Sequence, residues 1–209
     1  RGPLPAARPG QATGAQLAAI ARFDAVSVFR SPAFFVLMAI GILNAWAGLW
    51  FASRLYGTEV FPVTRLMVQA LQDSFAVIPM IIAVFYAGEL VWRDRQQRMH
   101  DIVDATVASD LVHLLPKIAA IVGVLVCAGA LSVVTAMAVQ ALKGWTRFEP
   151  GHYLLWYLLP QTLSATLLAV LAVFVQTLVP HKMIGWAVML AWVVSTLVMG
   201  ALGFEHNLY

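Results

Sequence analysis

Apolar positions gather into five long runs, over residues 33–52, 75–92, 118–142, 153–179 and 183–202, parted by short polar loops and one long polar bridge. A helix rises about 1.5 Å per residue, so twenty apolar residues cover roughly 30 Å, one hydrocarbon thickness. Each run therefore predicts a membrane-spanning helix. Ahead of them, residues 14–30 place Leu17, Ile20, Phe23 or Asp24, and Val28 near helical spacing, interrupted by Arg22, Asp24 and Arg30. That segment is too charged to span. It predicts an amphipathic helix along the interface, the alternative being a soluble helix before the membrane. Ser31 and Pro32 then offer a capping hydroxyl and a first-turn proline for the first span.

Within the spans the pattern carries further detail. Gly41, Ala45 and Gly48 give the first span a small-residue face for close helix contact. Arg65, Gln69, Gln72 and Asp73 predict that the chain rises from the outer surface before the second span, where Pro79 predicts a kink. Asp73 at that mouth reads as a hydrated carboxylate, with a pathway role as the alternative. Pro116 suits the first turn of the third span, and Pro160 sits near the outer end of the fourth. Only Pro180, His181 and Lys182 separate the last two spans, which forces an antiparallel hairpin. Residues 1–13 are rich in Pro, Gly and Ala and read as a linker, with the expectation that the chain belongs to a longer protein.

The polar bridge over residues 88–117 is the exception in a nearly all-apolar chain. Arg93, Arg95, Arg98 and Lys117 face Asp94, Asp101, Asp104 and Asp110, with Glu89 leading. The balance rules out a basic lipid-binding patch. Met99, Ile102, Val103, Leu111 and Val112 break up the charges, the pattern of a short amphipathic helix that meets both water and a partner surface.

Composition agrees with a helical membrane protein: 209 residues, 61% hydrophobic, 11% charged, with a mean hydropathy of +0.83. The placement of positive charge sets orientation. Arg1, Arg8, Arg22, Arg30, Arg93, Arg95, Arg98, Lys117 and Lys182 lie on one side, nine against the four of Arg54, Arg65, Lys143 and Arg147. The positive-inside rule then puts the amino terminus and the 93–117 loop in the cytoplasm. No span carries a charge at mid-depth, which weighs against an ion-coupled carrier.

No zinc helix, phosphate-binding loop or nucleophile elbow appears in the sequence, so no catalytic residue is assigned. His100 and Asp104, four apart, would share a helix face with Asp101 nearby, where a metal is conceivable, a solvated face being the simpler reading. His152 and His206 lie outside and could pair. The single cysteine, Cys127, sits in an apolar run and reads as packing. No basic run interleaved with aromatics exists for nucleic acid.

Over GELVWRDRQQRMHDIVDAT and SDLVHLLPK the chain resembles the permease half of a type-2 ABC exporter. The resemblance implies that family's all-α transmembrane fold, with the 14–30 helix as an interfacial elbow, five visible spans and a cytoplasmic coupling helix. It assigns ATPase coupling to Glu89, Arg93, Asp94, Arg95, Arg98, His100, Asp101, Asp104 and Lys117. It further implies a cytoplasmic ABC ATPase using ATP and magnesium, a second permease unit, no cofactor in this chain, and a bacterial inner membrane. SVFRSPAFFVL, FYAGELVWRDR, HDIVDAT, QALKGW and GFEHNLY are similar to bacterial proteins that fuse such a permease to a zinc aminopeptidase, although Val107 stands where that subfamily has proline. Two functions follow as expectations: an export permease, or a membrane anchor for a peptidase beyond residue 209.

Overall fold

The computed structural model describes residues 14–52, 54–55, 58–59, 61–96 and 110–202. Apart from one two-residue antiparallel pairing, β1 (Arg54–Leu55) with β2 (Thr58–Glu59), the described elements are helices. They are α1 (Gly14–Phe29), α2 (Pro32–Ala52), α3 (Thr64–Phe75), α4 (Val77–Gln96), α5 (Asp110–Leu142), α6 (Pro150–Leu178) and α7 (Lys182–Ala201). Four of them are long and apolar enough to cross a membrane, five if the bent α3–α4 pair counts as one span. This is the make-up of a multi-pass membrane protein.

The long helices fall on the five apolar runs, with three corrections at their ends. The first concerns the second span. α3 and α4 meet at 43°, and the break falls at Ala76. Pro79 has no N–H for the Phe75 carbonyl, and its ring crowds that group, so the helix parts one turn before the proline. Asn44 of α2 donates to the Ser74 carbonyl at the break (2.5 Å).

The second correction concerns the third span. α5 starts at Asp110, not at 118, so Pro116 lies inside the helix rather than in its first turn. The polar residues before the apolar run are helical as well. Helix needs only local hydrogen bonds, whereas apolarity marks only the part that meets lipid. The third concerns the fourth span. α6 begins at Pro150 and passes through a π turn over Leu154–Leu158 immediately before Pro160. The proline again removes a donor, this time from the Trp156 carbonyl, and the widened turn is the local answer.

The centre is built by α4, α5 and α6, with α4 against α6 the most extensive pairing and α1 laid along α5. On α5, Ala120, Ile121, Val124, Leu125 and Ala128 form one buried face, while Leu131, Val134 and Leu142 point outward. On α2 the small-residue face closes on the bent pair. A Cβ on Gly48 would lie 2.7 Å from the Ser74 Cβ, and one on Gly41 2.8 Å from the Phe75 ring. α5 ends in a Schellman turn: Gly144 takes φ +80°, Trp145 N donates to Gln140 O (2.9 Å) and Gly144 N to Ala141 O (3.0 Å). α7 is peripheral, with Met189 buried and Leu190, Val194 and Leu197 exposed along it.

α1 is a helix, as expected, but its exposure pattern inverts the expected one. Its apolar Ile20, Phe23 and Val26 are exposed, and its carboxylate Asp24 is buried. An apolar outer face suits lipid, and the buried charge has a partner described below.

Candidate coupling site

The last turns of α4 carry Tyr86, Glu89 and Arg93 at positions i, i+3 and i+7, one stripe of the helix, with Trp92 beside it. Each of these side chains reaches a different neighbour. The Tyr86 hydroxyl meets Ser31 Oγ at 2.7 Å, at the entrance to α2. Glu89 Oε1 accepts from Lys182 Nζ at 2.6 Å, at the start of α7. Trp92 Nε1 donates to Gln176 Oε1 of α6 at 2.9 Å. Arg93 donates to Ser27 Oγ (2.9 Å) and pairs with the carboxylate of Asp24, both on α1.

The Asp24–Arg93 pair dominates the electrostatics. Asp24 is 2% exposed, and an ionised carboxylate without a partner at that depth would cost several kcal/mol. Arg93 supplies the counter-charge, its side chain remaining 28% exposed, and its guanidinium stands 5.7 Å from the Phe23 ring. Lys182 is held from two sides, by Glu89 and by the Trp186 ring 4.7 Å away.

Beneath the stripe, α4, α6 and α7 meet through two glycines. A Cβ on Gly88 would collide with Trp186 Nε1 and come within 3.0 Å of Gln176 Nε2; one on Gly185 would collide with the Gln176 carboxamide. Only glycine lets the three backbones approach this closely around Gln176. Because Trp92 is a donor, the Gln176 oxygen must face it, and Nε2 is the carboxamide atom turned toward Gly88. Gln176 Nε2 and Trp186 Nε1 are both buried there without an acceptor among the described residues. Unmade hydrogen bonds of this kind cost about 1–3 kcal/mol each, so this junction is packed tightly but not at its polar optimum.

Two of the residues assigned to coupling, Glu89 and Arg93, are thus brought into one network. Lys117 is buried on α5. Asp94 and Arg95 lie on the final turn of α4, their side chains outside the described residues, and Arg98, His100, Asp101 and Asp104 fall outside them altogether. Among the described residues no three metal-ligating side chains lie together.

Sequence reasoning missed Asp24, Ser27, Tyr86 and Gln176 as members of the network, and read Lys182 only as an orientation charge. A carboxylate in an otherwise apolar stretch of α1 was the available signal for Asp24. Nothing in one sequence pointed to Arg93 as its partner 69 residues away. What the arrangement can do is mechanical: a displacement of the end of α4 is passed to α1, α2, α6 and α7 together. Set beside family models, curated proteins and solved structures, the chain gives no match.

Proposed function

We propose that this chain is the membrane-spanning permease subunit of an ATP-driven, ABC-type exporter, moved by a cytoplasmic ATPase through its 88–117 segment. One observation supports this reading above the others: the end of α4 that leads into the segment is tied by polar side chains to four other elements. A pull on the segment does not stay local. On this reading the mixed-charge stretch from Arg93 to Asp104 docks in a groove of the ATPase, and closure of the motor on ATP and magnesium displaces it. Complementary charge orients such docking without an apolar patch on the free protein. The end of α4 then carries α1, α6 and α7 with it, and two permease units re-pack from one access state to the other.

The test is charge reversal at Arg95 and Asp101, Arg95→Glu and Asp101→Arg, in the full-length protein. Co-purification of an ATPase with the unaltered protein, and its loss in both variants, is the expected result. An ATPase that stays bound to both variants contradicts the docking role. A protein that never retains one, with a peptidase active on the same chain, favours the anchor reading.

A further inference from the structure

At the far end of the α3–α4 pair from this network, a cavity of about 340 Å3 opens between α3 and the first turns of α6. Its walls are two helical stripes. Arg65, Gln69 and Gln72 stand at i, i+4 and i+7 on α3; Glu149, His152 and Trp156 stand at i, i+3 and i+7 on the other side. The size is at the lower end of the range for small-molecule sites.

The walls are held in place by groups behind them. Gln140, fully buried, donates from Nε2 to Pro62 O (2.8 Å) just before α3, and its Oε1 accepts from the Tyr153 hydroxyl (2.9 Å) beside His152. The carbonyl of Trp156, deprived of a helical donor by Pro160, accepts from Gln72 Nε2 at 3.2 Å. The π turn and the buried relay therefore fix both walls before anything binds.

The charges inside are not used up. Arg65 makes no ion pair among the described residues, and Gln69 makes no hydrogen bond among them. Glu149 lies 3.5 Å from His152 Nδ1, longer than a normal hydrogen bond, so its oxygens retain capacity for another donor. A guanidinium and a carboxylate line one cavity without pairing with each other. Their sum is neutral, so an ion of either sign leaves one of them unmatched, whereas a dipolar ligand matches both.

We propose that this cavity binds a small zwitterion with a primary ammonium group. Its anionic end lies on Arg65 and Gln69, and its ammonium between the Glu149 carboxylate and the exposed face of the Trp156 indole. A free amino acid and a phosphoethanolamine lipid headgroup both carry this chemistry. The site is independent of the coupling network and stands whether or not an ATPase drives the protein.

Calorimetric titration of the full chain in maltoside micelles separates the sources. Alanine is the soluble zwitterion, dihexanoyl phosphatidylethanolamine the headgroup, and acetate and butylamine carry one charge each. Binding of either zwitterion, with both single-charge probes at least about tenfold weaker, is the expected result. Arg65→Gln and Glu149→Gln should each weaken it about tenfold or more, and the swap Arg65→Glu with Glu149→Arg should recover most of it. Both residues are exposed, so these variants leave the fold in place. Acetate binding as well as alanine with Glu149→Gln silent, or no binding of either zwitterion, overturns the proposal.

Discussion

At one end of the bundle α4 reaches its neighbours through charges, hydroxyls and an indole, around a junction that leaves Gln176 Nε2 and Trp186 Nε1 without acceptors among the described residues. At the other end Gln140 joins Pro62 to Tyr153 with neutral groups, its oxygen and nitrogen both satisfied. Neutral, buried and satisfied hydrogen bonds make a joint that gains nothing by opening. The partly exposed Glu89–Lys182 pair can exchange its partners for water at modest cost, whereas Asp24, 2% exposed, stays with Arg93. On the proposed reading, movement falls to the α4 end and rigidity to the other.

The largest effect that sharpens this contrast is an asymmetry within the α1–α4 pair. Arg93→Ala strands Asp24 where it is 2% exposed and should cost about 3–5 kcal/mol of stability. Asp24→Ala leaves an arginine whose side chain is already 28% exposed and can turn to water, so the loss should be nearer ~1 kcal/mol. Equilibrium unfolding in mixed micelles reads both, and equal losses would show that depth does not govern the pair. At the rigid end, Tyr153→Phe removes the donor to the buried Gln140 Oε1 and should cost about 1–3 kcal/mol in the same assay. A loss within error would mean that the relay does not brace that end. The smallest effect belongs to Glu89→Gln. Its pair with Lys182 is partly solvated, with side chains 40% and 22% exposed, and should be worth no more than about 1 kcal/mol. A larger loss would move the α4–α7 contact out of the exchangeable class.

How far this contrast was legible in the sequence depends on whether the deciding contrast was between lipid and water or between one lipid-soluble face and another. Apolar run length gave the spans, because leaving the bilayer changes composition sharply at Ser31, at the polar bridge and at Pro180. The proline effects at 79 and 160 were visible as positions, but not that the first breaks the helix at Ala76 and the second widens a π turn. Both outcomes depend on which neighbour takes up the freed carbonyl, Asn44 aiding the first break and Gln72 the second site. Helix facing was legible on α2, where Gly41, Ala45 and Gly48 mark the contact face, and not on the other spans. In α5 the buried Ile121 and Val124 and the outward Leu131 and Val134 are the same kind of residue, since lipid and core are equally apolar. Without facing, Asp24 could not be matched to Arg93, nor Gln176 to Trp92. The cavity between α3 and α6 was half visible: Arg65, Gln69 and Gln72 stood out as polar positions, while the wall opposite them required the fold.

On the proposed reading the α4 end moves while the opposite end stays. With Cys127 replaced by alanine, spin labels at Arg22→Cys and Leu155→Cys run from the network to the braced end, and labels at Val63→Cys and Leu155→Cys lie within the braced end; all three positions are exposed. Pulsed dipolar distances are then measured in the presence of the ATPase proposed to drive the protein, with and without ATP and magnesium. The account predicts a shifted distribution for the first pair and an unchanged one for the second. An unchanged first pair, or a shift of equal size in both, would contradict it.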